Sequence, residues 1–525
     1  MPSPVSVLVI GGGPAGSIAA TLLAQRGASV QLLEREFFPR YHIGESVSPS
    51  CRSIIDLAGA HEKIDARGYI VKNGLLLRWG ADRDWTVNWP DTFGGDVRAW
   101  QVDRADFDQV LLEHAVSQGV AVHQGANAKA VTFDGDRAVG AEWLHAGRRH
   151  SGQFDFIVDA SGRAGLLSAQ HFKNRQPNEV FRNVAIWGYY QGGELLPGTP
   201  AGGINVISSP EGWYWVIPLS GDRFSVGFVT HQTRFLQRKS SYPSLNAMFA
   251  DLVAQSETVA DLMRGGRHDG KVRVEQDFSY SASRYCGPGY FIAGDAACFL
   301  DPLLSTGVHL ALYSGMLAAT SILAAHNGDV TELEAQGFFE SLYRNAYSRL
   351  FAMVSGFYQQ YRGRAGYFWL AQRLARGQLI GNGSDNSKSD YCQGDNSKRS
   401  GNGSGRGDSN GNGKGDSNGS GYGNHSGAHG GAFAAITAGL TDLQDAGRVG
   451  GTAPMAELAA AAVQAGERAN AAVPAAGNTL APMMMDANDL YDAATGLYLV
   501  TSPTLGIRRA DRVPAAEAAA APASR

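Results

Sequence analysis

Cysteine is scarce: Cys51, Cys286, Cys298 and Cys392 are the only four in a chain of 525 residues. They lie too far apart for a disulfide framework or a zinc-ligand spacing, which excludes a small stapled secreted fold and points to a reducing, cytoplasmic setting. An excess of one charge is also missing. Lys and Arg total 45 against 49 Asp and Glu, a formal charge of −4, so the chain has no general attraction for nucleic acid or an anionic membrane. No apolar run reaches the ~20 residues that span a bilayer. The opening Met1 to Ile10 lacks the basic region and cleavage signal of a secretory leader. With 44% hydrophobic and 10% aromatic residues, most of the chain can bury one large core or two joined ones. The starting class is a soluble globular enzyme with a small or apolar substrate.

What is present begins with a strand. Residues 5–10 are apolar and β-branched, 14–26 read as a helix ending before Gly27, and 29–34 form the next strand. This strand, glycine loop, helix and strand open a dinucleotide-binding fold. From about 70 to 230, short alternating segments rich in aromatics predict a mixed or antiparallel sheet over a substrate cavity. A helix over 104–118, an apolar strand within 154–163 and a strand followed by small residues at 289–300 return to the nucleotide-binding sheet. The fold class is therefore α/β, with a discontinuous Rossmann-type domain (about 1–70, 100–165 and 280–330) and a substrate sheet over 71–99 and 166–279. Residues 306–327 predict a long apolar helix, and helical character to about 380 closes a module over 1–380. Gly, Asn, Ser and Asp then dominate 381–431, which predicts a disordered linker. A helical C-terminal region over 432–510 is expected next, with enough Leu, Tyr and Val in 486–509 to dock on the body. The Ala/Pro-rich 511–525 reads as a disordered tail.

Gly11, Gly13 and Gly16 keep G-x-G-x-x-G spacing between strand and helix, where absent side chains let backbone amides reach a pyrophosphate. Glu34 ends the following strand, placed to accept hydrogen bonds from a ribose. Asp295, in Gly-Asp-Ala-Ala (294–297), follows the apolar run from Tyr290 to Ala293, where a carboxylate can hold a ribityl chain. Taken singly these are bland: glycine turns serve many strand–helix junctions, and an aspartate after a strand is more often a turn residue. Together they imply one extended ligand gripped at both ends, FAD rather than NAD.

Further stretches are Pro-Arg-Tyr-His-Ile-Gly-Glu-Ser (39–46), Val-Asp-Ala-Ser-Gly-Arg (158–163), Trp-Tyr-Trp-Val-Ile-Pro (213–218) and the run from Gly294 to Ala311 that contains Ser-Thr-Gly (305–307). With Gly-Gly-Gly-Pro-Ala-Gly (11–16), they make the chain resemble the flavin-dependent halogenases over about 1–370. The likeness is to those acting on phenols or pyrroles, including the fungal phenolic-polyketide type, and it implies a fold of the flavin monooxygenase kind. The W-x-W-x-I-P motif (Trp213, Trp215, Pro218) lies near the flavin in that family and discourages direct monooxygenation. Alone, alternating tryptophans on a strand read as core or cavity wall. Lys72 matches the lysine that holds or relays hypohalous acid. A random lysine is a surface residue, but Ile70, Val71 and the run from Leu75 to Trp79 place this one at the edge of a buried sheet, where desolvation makes its protonation adjustable. Thr306 and Gly307 match the backbone amides that hold the halide, with ordinary capping by Ser305 or Thr306 as the plain alternative. Gly12, Ala15, Glu45 and Val308 match flavin contacts. Arg40 and Arg104 match contacts to phosphate or ring, although an arginine after Pro39 also suits a surface ion pair. One departure is Leu304, where tryptophan halogenases carry a glutamate, which turns the expectation from free tryptophan to a phenol.

The resemblance implies the following reaction. A separate flavin reductase supplies FADH2, O2 converts it to a hydroperoxide, and chloride is oxidised to hypochlorous acid. The acid then reaches Lys72 and an electron-rich aromatic substrate of secondary metabolism, free or carrier-bound. Two alternatives stand beside it: an aromatic hydroxylase that takes hydride from NAD(P)H itself, and a catalytically silent flavin-binding scaffold.

Overall fold

The computed structural model describes residues 4–80, 84–93, 97–360, 490–492, 494–502 and 504–510. Two sheets organise it. The first has six strands in the order 286–287, 290–292, 156–159, 6–10, 29–34 and 121–124, parallel except for the first pair. Val9 pairs with Val158 on one side and Leu32 on the other. Its central strands are continuous apolar runs because they are buried, with the helix Pro14–Ala24 and the antiparallel strands Asn127–Asp134 and Arg137–His145 packed against the sheet.

Five helices position the site: α1 (Pro14–Ala24), α2 (Pro49–Leu57), α3 (Arg104–Ser117), α4 (Gly307–Asn327) and α5 (Glu332–Gln360). The α4 helix is buried nearly all round, which explains its uniformly apolar sequence. Among the described residues it is the one helix long and apolar enough to cross a membrane, and it lies inside the protein. Close packing of α4 on α1 is possible because Gly315 faces the Ala15 carbonyl with no side chain between them.

The second sheet has nine strands and is mixed. Its main path runs 298–299, 273–282, 175–191, 223–231, 212–219, 204–209, 74–78 and 84–88, with 267–268 beside 175–191. Only the 204–209 and 74–78 pair is parallel. One face packs into the main core through Trp213, Trp215 and Ile217, and the other carries Tyr214 and Val216 into a second core with helices 245–255 and 257–262.

Boundaries differ from the sequence reading where a polar group stops an element. The strand expected within 154–163 is Phe156–Asp159, because the Asp159 carboxylate accepts the amides of Ser161 (3.0 Å) and Leu167 (2.7 Å) and turns the chain. Lys72 sits on a separate two-stranded ribbon, Ile70–Lys72 with Ala99–Gln101, rather than on the large sheet. The helical expectation for 432–510 is wrong where residues are described: Tyr491–Asp492, Leu497–Val500 and Gly506–Arg509 form an antiparallel three-stranded sheet. Alternation explains this, with Leu497 and Leu499 buried and Tyr498 half-buried between them after a turn at Gly496. The sheet docks on the body as its apolar content suggested: Ser341 donates to Asp492 (3.1 Å), and Arg508 pairs with Asp329 (2.6 Å). Helical continuation from 361 to 380, the 381–431 linker, 432–489, Cys392 and the 511–525 tail lie outside the described residues. Cys51, Cys286 and Cys298 are free and buried.

A methyl group on Gly16 would stand 1.9 Å from the Gly11 carbonyl oxygen, a backbone atom that cannot yield. Gly16→Val is expected to destabilise by at least the ~3 kcal/mol at the upper end of ordinary overpacking, read by chemical denaturation. A wild-type midpoint would refute this account of the strand–helix junction.

Candidate active site

One cavity of about 770 Å³ runs between the two sheets, with Gly13, Glu34, Glu45, Trp215, Asp295 and Gly307 among its lining residues. Its size falls within the ~300–1,000 Å³ of small-molecule and cofactor sites. At one end lies the start of α1. Gly13 is the N-cap and has no side-chain cap, and Pro14 follows at N1. A Cβ on Gly13 would meet only the Arg40 guanidinium, at 3.4 Å, so this backbone is open to a ligand. Gly11 is closed instead: its Cβ would lie 2.2 Å from the Ala160 carbonyl oxygen. The buried Glu34 accepts the amides of Gly12 (2.7 Å) and Glu36 (2.8 Å), which fixes the loop and leaves lone pairs for ribose hydroxyls. Ala15 lines the cavity, while Gly12 and Gly16 shape it from behind. An open amide cradle at a helix start, with an acid at the neighbouring strand end, is what the ADP half of FAD requires.

Arg40 and Arg104 both line the cavity and converge on Asp108 of α3. Arg104 clamps it through Nε (2.9 Å) and Nη2 (3.1 Å), and Arg40 lies 3.4 Å away. Arg40 therefore pairs with a buried acid, not a surface one. The Arg104 Nη1 also donates to the Ile43 carbonyl (2.8 Å), so this residue holds the segment that carries Glu45. Glu45 accepts from the Tyr189 hydroxyl (2.5 Å), and burial pushes its pKa up. At the far side, burial raises the pKa of Asp295, partly offset by Arg163 with Nε 3.9 Å away.

Trp213, Trp215 and Ile217 form one wall, since alternate residues of a strand share a face. The Trp215 ring lies across Gly227 of the next strand, where a Cβ would come within 2.1 Å of it, and its indole donates to Ser225 (3.1 Å). Trp213 donates to the Tyr358 hydroxyl at 2.8 Å. Pro218 is buried but belongs to the opposite parity and does not line the cavity.

The start of α4 closes the cavity. Asp301 caps a single turn, Pro302–Leu304, by accepting the Leu303 amide (3.1 Å). Ser305 then adopts the left-handed conformation (φ 57°, ψ 34°), which costs a non-glycine residue roughly 1–2 kcal/mol. Thr306 is the N-cap, without a side-chain cap, and neither Ser305 nor Thr306 caps the helix as an ordinary N-terminus would be capped. Among the described residues no acceptor serves the Thr306 or Gly307 amide, and the Thr306 hydroxyl is buried without a partner. Gly307 and Val308 line the cavity. Unpaired donors at the positive end of a 21-residue helix suit a small anion.

Lys72 is 2% exposed, and its ammonium donates to the Val47 carbonyl (3.1 Å) and lies 5.0 Å from the Trp89 ring. Desolvation lowers its pKa to about 7. It does not line the flavin-sized cavity; Ser46, the neighbour of its carbonyl partner, does. The site also contains residues to which the sequence reading gave no role: Asp108, Arg163, Tyr189 and Asp301. For Asp108 a signal existed, the i, i+4 spacing from Arg104. Asp301 also left a local sign, an Asp-Pro pair that caps the 302–304 turn, whereas Arg163 and Tyr189 act through long-range contacts that carry no local pattern.

Two outcomes are expected from this geometry. Gly13→Val fills the open cradle without meeting protein backbone, so FAD binding should fall at least ~100-fold while the thermal midpoint of the apoprotein stays unchanged; retained flavin would refute the placement. Lys72→Met should stabilise the protein at pH 7 by on the order of 3 kcal/mol. Because the folded-state pKa is lowered, the unfolded chain binds more protons between pH 7 and 10.5, so wild-type stability rises with pH there and the gap should close. Denaturation curves of both proteins across that range check it.

Comparison with known proteins agrees with this geometry. Residues 6–98 and 94–379 match the family described as tryptophan halogenase. The chain is 41% identical over 382 residues to tryptophan 2-halogenase of Chondromyces crocatus, covering 72% of each chain. It is 39% identical over 388 residues to the flavin-dependent halogenase armH3 of Armillaria mellea, covering 69% of this chain and 76% of the relative. Its fold is similar to that of the myxobacterial chondrochloren halogenase CndH, an FAD-dependent halogenase, with a TM-score of 0.67, 33% identity, and 72% and 89% of the two chains covered. A glycine cradle, an aromatic wall and an uncapped helix start around one cavity thus belong to an enzyme that uses FAD, halide and O2, and the chain is a member of the flavin-dependent halogenases.

Proposed function

We propose that this enzyme halogenates an electron-rich phenolic ring, with halide held at the Thr306 and Gly307 amides and Lys72 delivering the oxidised halogen. The observation that carries the reading is the unpaired pair of amides at the start of α4, beside a buried Thr306 hydroxyl without a partner and facing the cavity of the glycine loop. Reduced FAD, when bound, supplies with O2 the two-electron oxidant for the halide. The glycine loop, Glu34, Arg40 and Arg104 would hold its phosphate and ribose portion, and Glu45, Asp295 and Val308 the part nearer the ring. Trp213 and Trp215 keep the aromatic substrate from the flavin, which disfavours direct hydroxylation. The ammonium of Lys72, in a site without bulk water, can donate a hydrogen bond to hypohalous acid and polarise it toward the ring.

Leu304 offers no carboxylate next to Ser305, so the substrate must supply its own ring activation, as a phenol hydroxyl does. The 41% identity to a protein named tryptophan 2-halogenase makes tryptophan the second substrate to test. The reduced flavin comes from a separate reductase, and the substrate arrives free or on a carrier protein. Three buried free thiols suit a reducing cytoplasm.

Incubation with a flavin reductase, O2, chloride or bromide, and a panel of phenols, pyrroles and tryptophan tests the reading by mass spectrometry of the products. Halogenated phenols are expected; hydroxylated products alone, or flavin reduction by NAD(P)H without a reductase, would defeat it. Lys72→Ala should lower halogenation by ~100-fold or more with flavin content and hydrogen peroxide release unchanged. Because the ammonium of Lys72 is a stronger, charge-assisted donor than the neutral amine, wild-type halogenation should decline as pH rises above about 7.

A further inference from the structure

Asp301 is 1% exposed, and among the described residues no cationic side chain pairs with it. Polar groups from four parts of the fold meet there instead. Asn183, on the strand 175–191, donates to Oδ2 at 2.6 Å. The Tyr358 hydroxyl, on α5, lies 3.0 Å from both carboxylate oxygens. The Leu303 amide donates to Oδ1, and the Asp301 amide itself donates to Ser279 Oγ at 3.1 Å, on the strand 273–282. Tyr358 in turn accepts the indole N–H of Trp213. One carboxylate therefore ties the large sheet, α5 and the aromatic wall to the turn that precedes the left-handed Ser305 and the free amides of Thr306 and Gly307. Burying a carboxylate without a cation is unfavourable, and burial pushes this one up to about 6. The hydrogen bonds it accepts are correspondingly strong.

We propose that Asp301, held by Asn183 and Tyr358, is the positioning residue of the halide site: it sets the 302–304 turn and thereby aims the Thr306 and Gly307 amides. The proposal rests on the halide reading above. It separates two functions of one cavity. The glycine loop grips the cofactor without Asp301, so loss of its carboxylate disturbs halide and leaves FAD. Replacement by asparagine keeps an acceptor for the Leu303 amide, and an amide side chain on Asn183 can turn to match it.

The test uses the full-length FAD-bound enzyme, titrated with bromide while the absorbance of the bound flavin is followed, with FAD affinity measured separately. Asp301→Ala should raise the bromide Kd about tenfold or more, with FAD affinity within about twofold of wild type, and Asp301→Asn should restore bromide binding to within about threefold. Tyr358→Phe, which keeps the ring and removes the hydroxyl, should raise the bromide Kd by about threefold or more and decides the matter if Asp301→Ala does not fold. Bromide affinity unchanged in these variants, or FAD affinity falling in step with it, overturns the role of Asp301 alone. A wild-type enzyme without a saturable bromide response overturns the halide reading and this inference with it.

Discussion

Gly315 lies against the Ala15 carbonyl, so close that a Cβ would stand 2.3 Å from the oxygen. The rest of the site depends on that contact. It brings the first turn of α1 against the third turn of α4, and both helix starts open on one cavity. Each helix start carries partial positive charge, and neither is neutralised by a capping side chain. One start suits a pyrophosphate and the other a single small anion. A cofactor and a co-substrate of like charge can thus each meet a set of orphan backbone amides, with Arg40 and Arg104 adding positive charge to the lining.

A second device recurs. Glu34, Asp159 and Asp301 are buried acids that close a turn by accepting backbone amides: the glycine loop, the 159–167 turn and the 301–304 turn. Each fixes backbone where backbone does the binding. Where the chain does use cations, at Arg40 and Arg104, they share Asp108 and are held in place by it before any ligand arrives. Lys72 differs from both. Among the described residues its one hydrogen-bond partner is a carbonyl, so burial is not offset by an opposite charge and its proton is held weakly.

What was legible in the sequence was local. Glycine spacing fixed α1 and its loop, uniform apolarity fixed α4, and apolar flanks identified Lys72 as buried. The strand of Trp213 and Trp215 was readable as a cavity wall because its period is two. The relations between distant residues were not readable: Trp213 and Tyr358 are 145 positions apart, and Asn183 and Asp301 are 118 apart. Nor did apolar flanks reveal that Lys72 lies on a two-stranded ribbon behind the cavity, since burial and access are different properties. The C-terminal strands were missed for another reason. They are two to four residues long, shorter than any window in which alternation outweighs the helix-forming alanines before them.

The two-sided strand Gly212–Leu219 constrains how this wall can change over evolutionary time. Trp213, Trp215 and Ile217 face the cavity, and Tyr214 and Val216 face the second core. Deleting or adding a single residue would exchange the faces, sending Tyr214 and Val216 toward the cavity and both indoles into a core shaped for other rings. Relatives that diverge here can therefore exchange side chains but not lengths, and gaps in an alignment should cluster at the turns on either side of this strand rather than within it.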